Sequence, residues 1–200
     1  MNRKPAGIIL AAGESTRMGT DKALLDYAGT TFLQRLIDLL LPRASPLVVV
    51  LGHNAEKIRA TLAPHPDLQI VINENYPAGQ LSSLQAGIRA LPGDVPGALV
   101  TLVDHPAVAG STLDLILERF RSGAPPLLIP LHQGRRGHPV FFSRKLLNEI
   151  LALPPAASAK QVVHAHEDEA LYLDVADPGV LRDIDTPADY QALAAEEPGE

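Results

Sequence analysis

The chain alternates short, largely apolar runs with stretches whose apolar residues recur every three or four positions. Residues 7–11 (Gly-Ile-Ile-Leu-Ala) and 46–52 (Pro-Leu-Val-Val-Val-Leu-Gly) are runs of strand length, as expected of strands covered on both faces, and 68–72 and 98–103 are read as a third and a fourth strand. Between them, Phe32, Leu33, Leu36, Ile37, Leu40 and Leu41 predict a helix over 31–41, ended by Pro42. Asn54 is placed to cap a helix reaching about residue 62. Leu81, Leu84, Ile88 and Leu91 share one face of a helix over 80–91, and another helix covers 113–120. After Ser122 the pattern changes. Residues 125–131 and 138–142 are strand-like runs around a turn-like 133–137. Two helices, a strand near 170–175 and a last helix over 187–195 follow, and the acidic end 196–200 is expected to fray.

This alternation predicts a three-layer α/β/α fold with a mostly parallel, Rossmann-like sheet. Ligands in such sheets sit beyond the carboxyl ends of the strands, so the loops after Ala11, Ile72 and Val103 are the ones to inspect. A length of 200 residues fits one domain over 1–200. At 46% hydrophobic and 20% charged, the composition excludes a wholly disordered or collagenous chain. Cysteine is absent, which removes disulfides, thiolate zinc sites and cysteine nucleophiles. A formal charge of −6 argues against bulk binding to nucleic acid. No apolar run reaches the roughly 18 residues that span a bilayer. Asn2-Arg3-Lys4 before the apolar 6–12 faintly imitates a signal peptide, but Glu14 and Arg17 follow at once and a buried first strand is the reading adopted. The expected location is the cytoplasm, with no membrane partner.

The first loop carries the most chemistry: Leu10-Ala11-Ala12-Gly13-Glu14-Ser15-Thr16-Arg17-Met18-Gly19-Thr20-Asp21-Lys22. Small residues after a buried strand let backbone approach a ligand, and successive N–H groups there form a concavity for phosphate oxygens. Arg17 offers a planar fork to phosphate and Lys22 a point charge. The glycine spacing matches neither the P-loop nor the dinucleotide fingerprint. By residue type alone, an ordinary strand-to-helix loop with solvated cations fits equally well. Asp104 follows a strand and precedes Pro106, where it could cap the next helix or hold a cation. Asp185 before Thr186-Pro187 reads equally as a cap or turn residue.

The first loop resembles the L-A-A-G-x-S-x-R-M-G-x-x-K signature of the MobA-like nucleotidyltransferases, and especially of molybdenum cofactor cytidylyltransferases. Residues 79–87 (Gly-Gln-Leu-Ser-Ser-Leu-Gln-Ala-Gly), 102–106 (Leu-Val-Asp-His-Pro), 137–141 (Gly-His-Pro-Val-Phe) and 183–189 (Asp-Ile-Asp-Thr-Pro-Ala-Asp) follow in the family's order, so the likeness spans roughly 7–193. It implies a sheet like that of nucleotide-diphospho-sugar transferases, with a nucleotide-binding half (5–122) and an acceptor-binding half (123–195). It further implies Mg²⁺-dependent transfer of CMP from CTP to the phosphate of a molybdopterin-type cofactor, releasing pyrophosphate, with a client molybdoenzyme as a possible partner. Arg17, Lys22 and Asp104 would be catalytic. Leu10, Ala11, Ala12, Gly13, Asn73, Gly79, Ser82 and Ser83 would bind nucleotide with them. Asp104 and Asp185 would hold the metal, with Asp183 the alternative second ligand. Arg135, Arg136 and His138 would seat the acceptor phosphate, although solvated loop charge explains the arginines too. Ala12 in place of a second glycine favours CTP over GTP. His105, where many relatives carry Gln or Met, departs from the pattern. His53, His65, His132, His164 and His166 receive no role, the last two reading as an exposed strand or loop. The same fold would also serve GTP, a sugar or polyol phosphate acceptor, or a non-catalytic molybdoenzyme accessory.

Overall fold

The computed structural model of the protein describes residues 4–123 and 125–196. Asn2 and Arg3, and residues 197–200 of the acidic end, lie outside them. Along the chain come β1 (Ala6–Ala11), the small antiparallel pair β2 (Asp26–Tyr27) and β3 (Thr30–Thr31), α1 (Phe32–Leu40), β4 (Leu47–Leu51), α2 (Ala55–Arg59), β5 (Leu68–Ile72), α3 (Gln80–Ala90), β6 (Gly97–Leu102) and α4 (Gly110–Gly123). Then follow β7 (Leu127–His132), β8 (Arg135–Arg136), β9 (Val140–Ser143), α5 (Arg144–Ala152), α6 (Lys160–Ala165), β10 (Ala170–Asp174) and α7 (Pro187–Ala194). One sheet runs β10-β7-β9-β6-β1-β4-β5, with β8 paired to β7.

The sheet is parallel except at β9 and β8. The exception follows from chain length. From β7 to β9 the connection is too short for a crossover, which takes a dozen residues or more, so β9 must return antiparallel. Gln133 and Gly134 make the return with φ of 52° and 74°, the left-handed pair of a two-residue hairpin turn. The turn expected over 133–137 is therefore narrower, and Arg135–Arg136 form a strand. Pro130 has no N–H to give a ladder. It sits where β7 changes partner from β9, paired at Leu127 and Leu128, to β8, paired at Leu131 and His132.

Successive strand residues point to opposite faces, and the core divides accordingly. Ile9, Leu47, Val49 and Leu51 pack with Leu36, Ile58, Leu113 and Ile116 of α1, α2 and α4. Ile8, Leu10, Val48 and Val50 pack with Leu84, Ile88, Leu146 and Ile150 of α3 and α5. Each such aliphatic side chain contributes about 1.5–3 kcal/mol by leaving water. Gly87 lets α3 sit close on the sheet: a Cβ there would stand 2.9 Å from methyl groups of both Ile8 and Val50.

Two local readings change, and one long-range cap is added. Asn54 adopts a left-handed conformation and makes no side-chain cap to α2, which ends at Arg59; its amide is used elsewhere, as shown below. His164 and His166 lie at and just after the end of α6, where His164 meets Glu167 and His166 bridges Glu149 and Glu169. Asp177, from the segment after β10, accepts from Ala109 N at 2.9 Å and Thr112 Oγ1 at 2.8 Å, and so caps α4 from a distance. Next to it, a Cβ on Gly179 would lie 2.1 Å from the Ala107 carbonyl oxygen. Gly179→Ala is therefore expected to cost about 3 kcal/mol in urea unfolding. Gly93→Ala, with open space around it, should change stability by under about 0.5 kcal/mol.

Candidate active site

The segments that leave β1, β5 and β6 at their carboxyl ends, together with Asp185, line an open cavity of about 520 Å³. The first loop contributes Leu10, Ala12, Gly13, Glu14, Ser15, Thr16, Arg17 and Lys22. Opposite stand Tyr76, Pro77, Gly79, Gln80 and Ser83, and Leu102, Val103 and Asp104 close the floor.

The first loop is folded around Ser15. With φ at 53°, Ser15 turns its carbonyl to accept from Met18 N and Gly19 N, each at 3.0 Å, and its Oγ accepts from Lys22 N at 3.2 Å. The loop is fastened at both sides. Met18 packs in an apolar cluster with Phe32, Ile184 and Leu193. Asp21, buried, accepts from Asn54 Nδ2 at 2.9 Å and Lys57 Nζ at 2.8 Å. Burial raises the Asp21 pKa, but the hydrogen bonds from Lys57 and Asn54 outweigh it and hold the carboxyl below its usual range.

Lys22 then carries its ammonium between two carboxylates. Nζ donates to Asp104 Oδ2 at 3.0 Å and to Asp185 Oδ1, and Arg17 pairs with the other oxygen of Asp185. Burial lowers the Lys22 pKa, yet Asp185 and Asp104 overcome this and raise it above the ordinary value. Lys22, foremost, also keeps Asp185 ionised below the usual carboxylate range. Neither acid is spent on capping. Thr186 and Asp189 form the capping box of α7, and Asp177 caps α4. The backbone bond Ile184 N to Asp104 O, at 3.0 Å, brings the two acidic segments together. Ile184 is buried, so Asp183 and Asp185 flank an inward-facing residue and turn the other way.

Asp104 Oδ1 is enclosed and has no hydrogen-bond partner. A carboxylate with one such oxygen, sharing the Lys22 ammonium with Asp185, supplies hard oxygens that suit a divalent cation. Asp183 has its pKa raised by burial, then by Asp104 and Asp185. His105 is 6% exposed; burial first, then His138, drives its pKa down to about 4, leaving a neutral ring.

The remaining expected residues fall in several places. Ala11 points into the opposite core layer, as strand alternation requires. Asn73 stands behind the wall: its Nδ2 donates to the hydroxyls of Ser82 and Ser83, and its Oδ1 accepts from Asn75 N. Ser82 turns to the carbonyls of Asn75 and Gly79. These two residues shape the start of α3, while Gly79 and Ser83 reach the cavity. Arg135 and Arg136 lie on β8 off the cavity wall, Arg136 held by Glu167 and stacked over Tyr172. His138 packs on His105 with ring centroids 4.8 Å apart.

Residues 7–170 match the MobA-like NTP transferase domain. The chain belongs to that family. It is 27% identical to the molybdenum cofactor cytidylyltransferase of Escherichia coli K12, over 92% of each chain. It is 31% identical to the nicotine blue oxidoreductase of Paenarthrobacter nicotinovorans, over 90% of this chain and 91% of that one. A molybdenum cofactor guanylyltransferase of Vibrio cholerae is 27% identical over 96% and 92%. Among solved structures, Rv0371c from Mycobacterium tuberculosis in complex with manganese superposes with a TM-score of 0.79 at 27% identity, covering 97% of this chain and all of that one. The mixed sheet is thus that of an established group of folds. No helix among the described residues is long and apolar enough to cross a membrane.

In this MobA-like transferase, sequence reasoning passed over Ser15, Asp21 and the Tyr76–Pro77–Gln80 wall. Ser15 stood in the signature but hid its role in a backbone conformation. Asp21 looked like an ordinary loop charge, because Asn54 and Lys57 are remote in sequence. The acid network makes a pH prediction. A carboxyl whose folded pKa is depressed stabilises above its unfolded pKa and loses that contribution as pH falls through the folded value. Asp185→Asn should therefore lower the urea midpoint at pH 7, and the gap to wild type should close below about pH 3.9. A gap of constant size would separate Asp185 ionisation from stability.

Proposed function

We propose that this protein transfers CMP from CTP to the phosphate of a molybdopterin-type molybdenum cofactor, releasing pyrophosphate, in the cytoplasm and with Mg²⁺. The observation that carries this reading is the meeting of Lys22, Arg17, Asp104 and Asp185 on one cavity at the carboxyl ends of the strands. Ser15 holds the first loop in a turn whose N–H groups suit triphosphate oxygens. Arg17, with its side chain 70% exposed, is free to swing from Asp185 onto phosphate, and Lys22 lies deeper to meet charge that builds on the leaving pyrophosphate. Mg²⁺, when bound, would neutralise phosphate charge and polarise the α-phosphate, and Asp104 and Asp185 are the residues that would hold it. The acceptor phosphate is already largely ionised near neutral pH, so attack on the α-phosphorus needs no general base. Positioning and charge neutralisation then account for most of the catalysis.

The nucleotide-binding half is taken as 5–122, and the acceptor half as 123–195 with Arg135, Arg136 and His138 as its phosphate seat. Support for CTP comes from Ala12. Ala12 lines the cavity, and a side chain where a second glycine would leave none suits a one-ring base. The guanylyltransferase relative is as similar as the cytidylyltransferase, so the nucleotide is the point to test.

Pyrophosphate release should be measured with CTP or GTP and a molybdopterin-type acceptor. CTP should support turnover at the higher kcat/KM; release with GTP alone would reassign the nucleotide, and release with neither would remove the activity. Lys22→Ala should slow turnover at least about tenfold, or about 1.4 kcal/mol of barrier. Ala12→Gly should move the CTP-to-GTP ratio of kcat/KM toward GTP by about tenfold, in the range one small group in a pocket commands.

A further inference from the structure

The two oxygens of Asp104 serve different neighbourhoods. Oδ2 meets the Lys22 ammonium at 3.0 Å. Oδ1 is enclosed and accepts no hydrogen bond, a condition that is destabilising when nothing compensates it. His105 Nε2 approaches Oδ1 at 4.0 Å, beyond hydrogen-bond range. The His105 ring is itself buried, and its Nδ1 also lacks a partner. Donor atoms of Asp104, His105 and Asp183 all lie within 4.8 Å of one another. Around an ion with bonds of roughly 2.1 Å, ligand atoms stand about 3–4.2 Å apart, so a small inward movement of the exposed Asp183 would close the set. The charge balance also favours a cation, since Asp104, Asp183 and Asp185 outnumber Arg17 and Lys22 in this cluster.

We infer that Asp104 Oδ1, the His105 imidazole and the Asp183 carboxylate form a second divalent-cation seat, distinct from the Asp104–Asp185 pair assigned above to nucleotide-bound Mg²⁺. It needs no nucleotide, because its donors come from the protein alone. Its imidazole sets its chemistry: a nitrogen ligand favours borderline transition-metal ions such as Zn²⁺, with Mn²⁺ weaker and Mg²⁺ weakest. Asp104 would then bridge two cationic positions, one of them held here by Lys22. The Asp185–Arg17 pair is left outside the seat.

The test is titration of the full-length, nucleotide-free protein with Mn²⁺, Zn²⁺ and Mg²⁺ by calorimetry, with pulsed EPR of the Mn²⁺ form. Mn²⁺ should bind with the nitrogen-14 signal of a directly bound imidazole, and Zn²⁺ should displace it. His105→Asn should erase that signal and, like Asp183→Asn, weaken Mn²⁺ at least about tenfold, while Asp185→Asn leaves it nearly unchanged. Mn²⁺ bound without the nitrogen signal, or lost in Asp185→Asn and kept in His105→Asn, would move the ion to the Asp104–Asp185 pair and overturn the inference. Failure of Mn²⁺ to bind at millimolar concentration would overturn it as well. Should a variant not fold, the wild-type spectrum decides alone. Neither result bears on pyrophosphate release, which tests the proposed reaction separately.

Discussion

The ammonium of Lys22 is the interaction on which the site depends. It joins residues 82 and 163 positions away along the chain, Asp104 and Asp185. Taking an ammonium out of water costs several kcal/mol unless opposite charge meets it, and two neighbouring carboxylates would each resist ionisation without it. Lys22 thus keeps Asp185 ionised, and the two acids keep Lys22 protonated. The group proposed to meet phosphate is also the one that gathers the acids, so a polyanion bound as proposed would have to rearrange the internal ion pairs of the site.

The scaffold explains why these charges meet at all. Parallel strands β1 and β6 end side by side, which brings the first loop next to Asp104. Met18 and Ile184 share an apolar cluster, which presses that loop against the segment carrying Asp183 and Asp185. Asp21, tied to Asn54 and Lys57, fixes the chain one residue before Lys22. The charged face therefore rests on apolar and hydrogen-bonded supports that take no part in it. Behind Asp104, the buried His105 ring packs on His138, so an imidazole stands beside the carboxylate.

Much of this was legible from residue order. Unbroken apolar runs marked the buried strands, and the carboxyl-end rule pointed to the loops that line the cavity. The first-loop signature carried Arg17 and Lys22, the segment 102–106 carried Asp104, and the family's second metal position matched Asp185 better than Asp183. What escaped notice depended on remote partners. Asn54 looked like a helix cap, yet its amide is claimed by Asp21. Asn73 and Ser82 looked like ligand contacts, yet they satisfy one another behind the wall.

By itself the sequence determined the alternation of buried strands with amphipathic helices and which charged groups the first loop carries, because these rest on local periodicity and on residue type. Only the tertiary structure decided which oxygen of each acid faces which cation, that β9 enters antiparallel between β6 and β7, and that His105 lies buried against Asp104. Those outcomes come from contacts between segments far apart in the chain, where geometry and burial, rather than residue type, set the partner of each polar group.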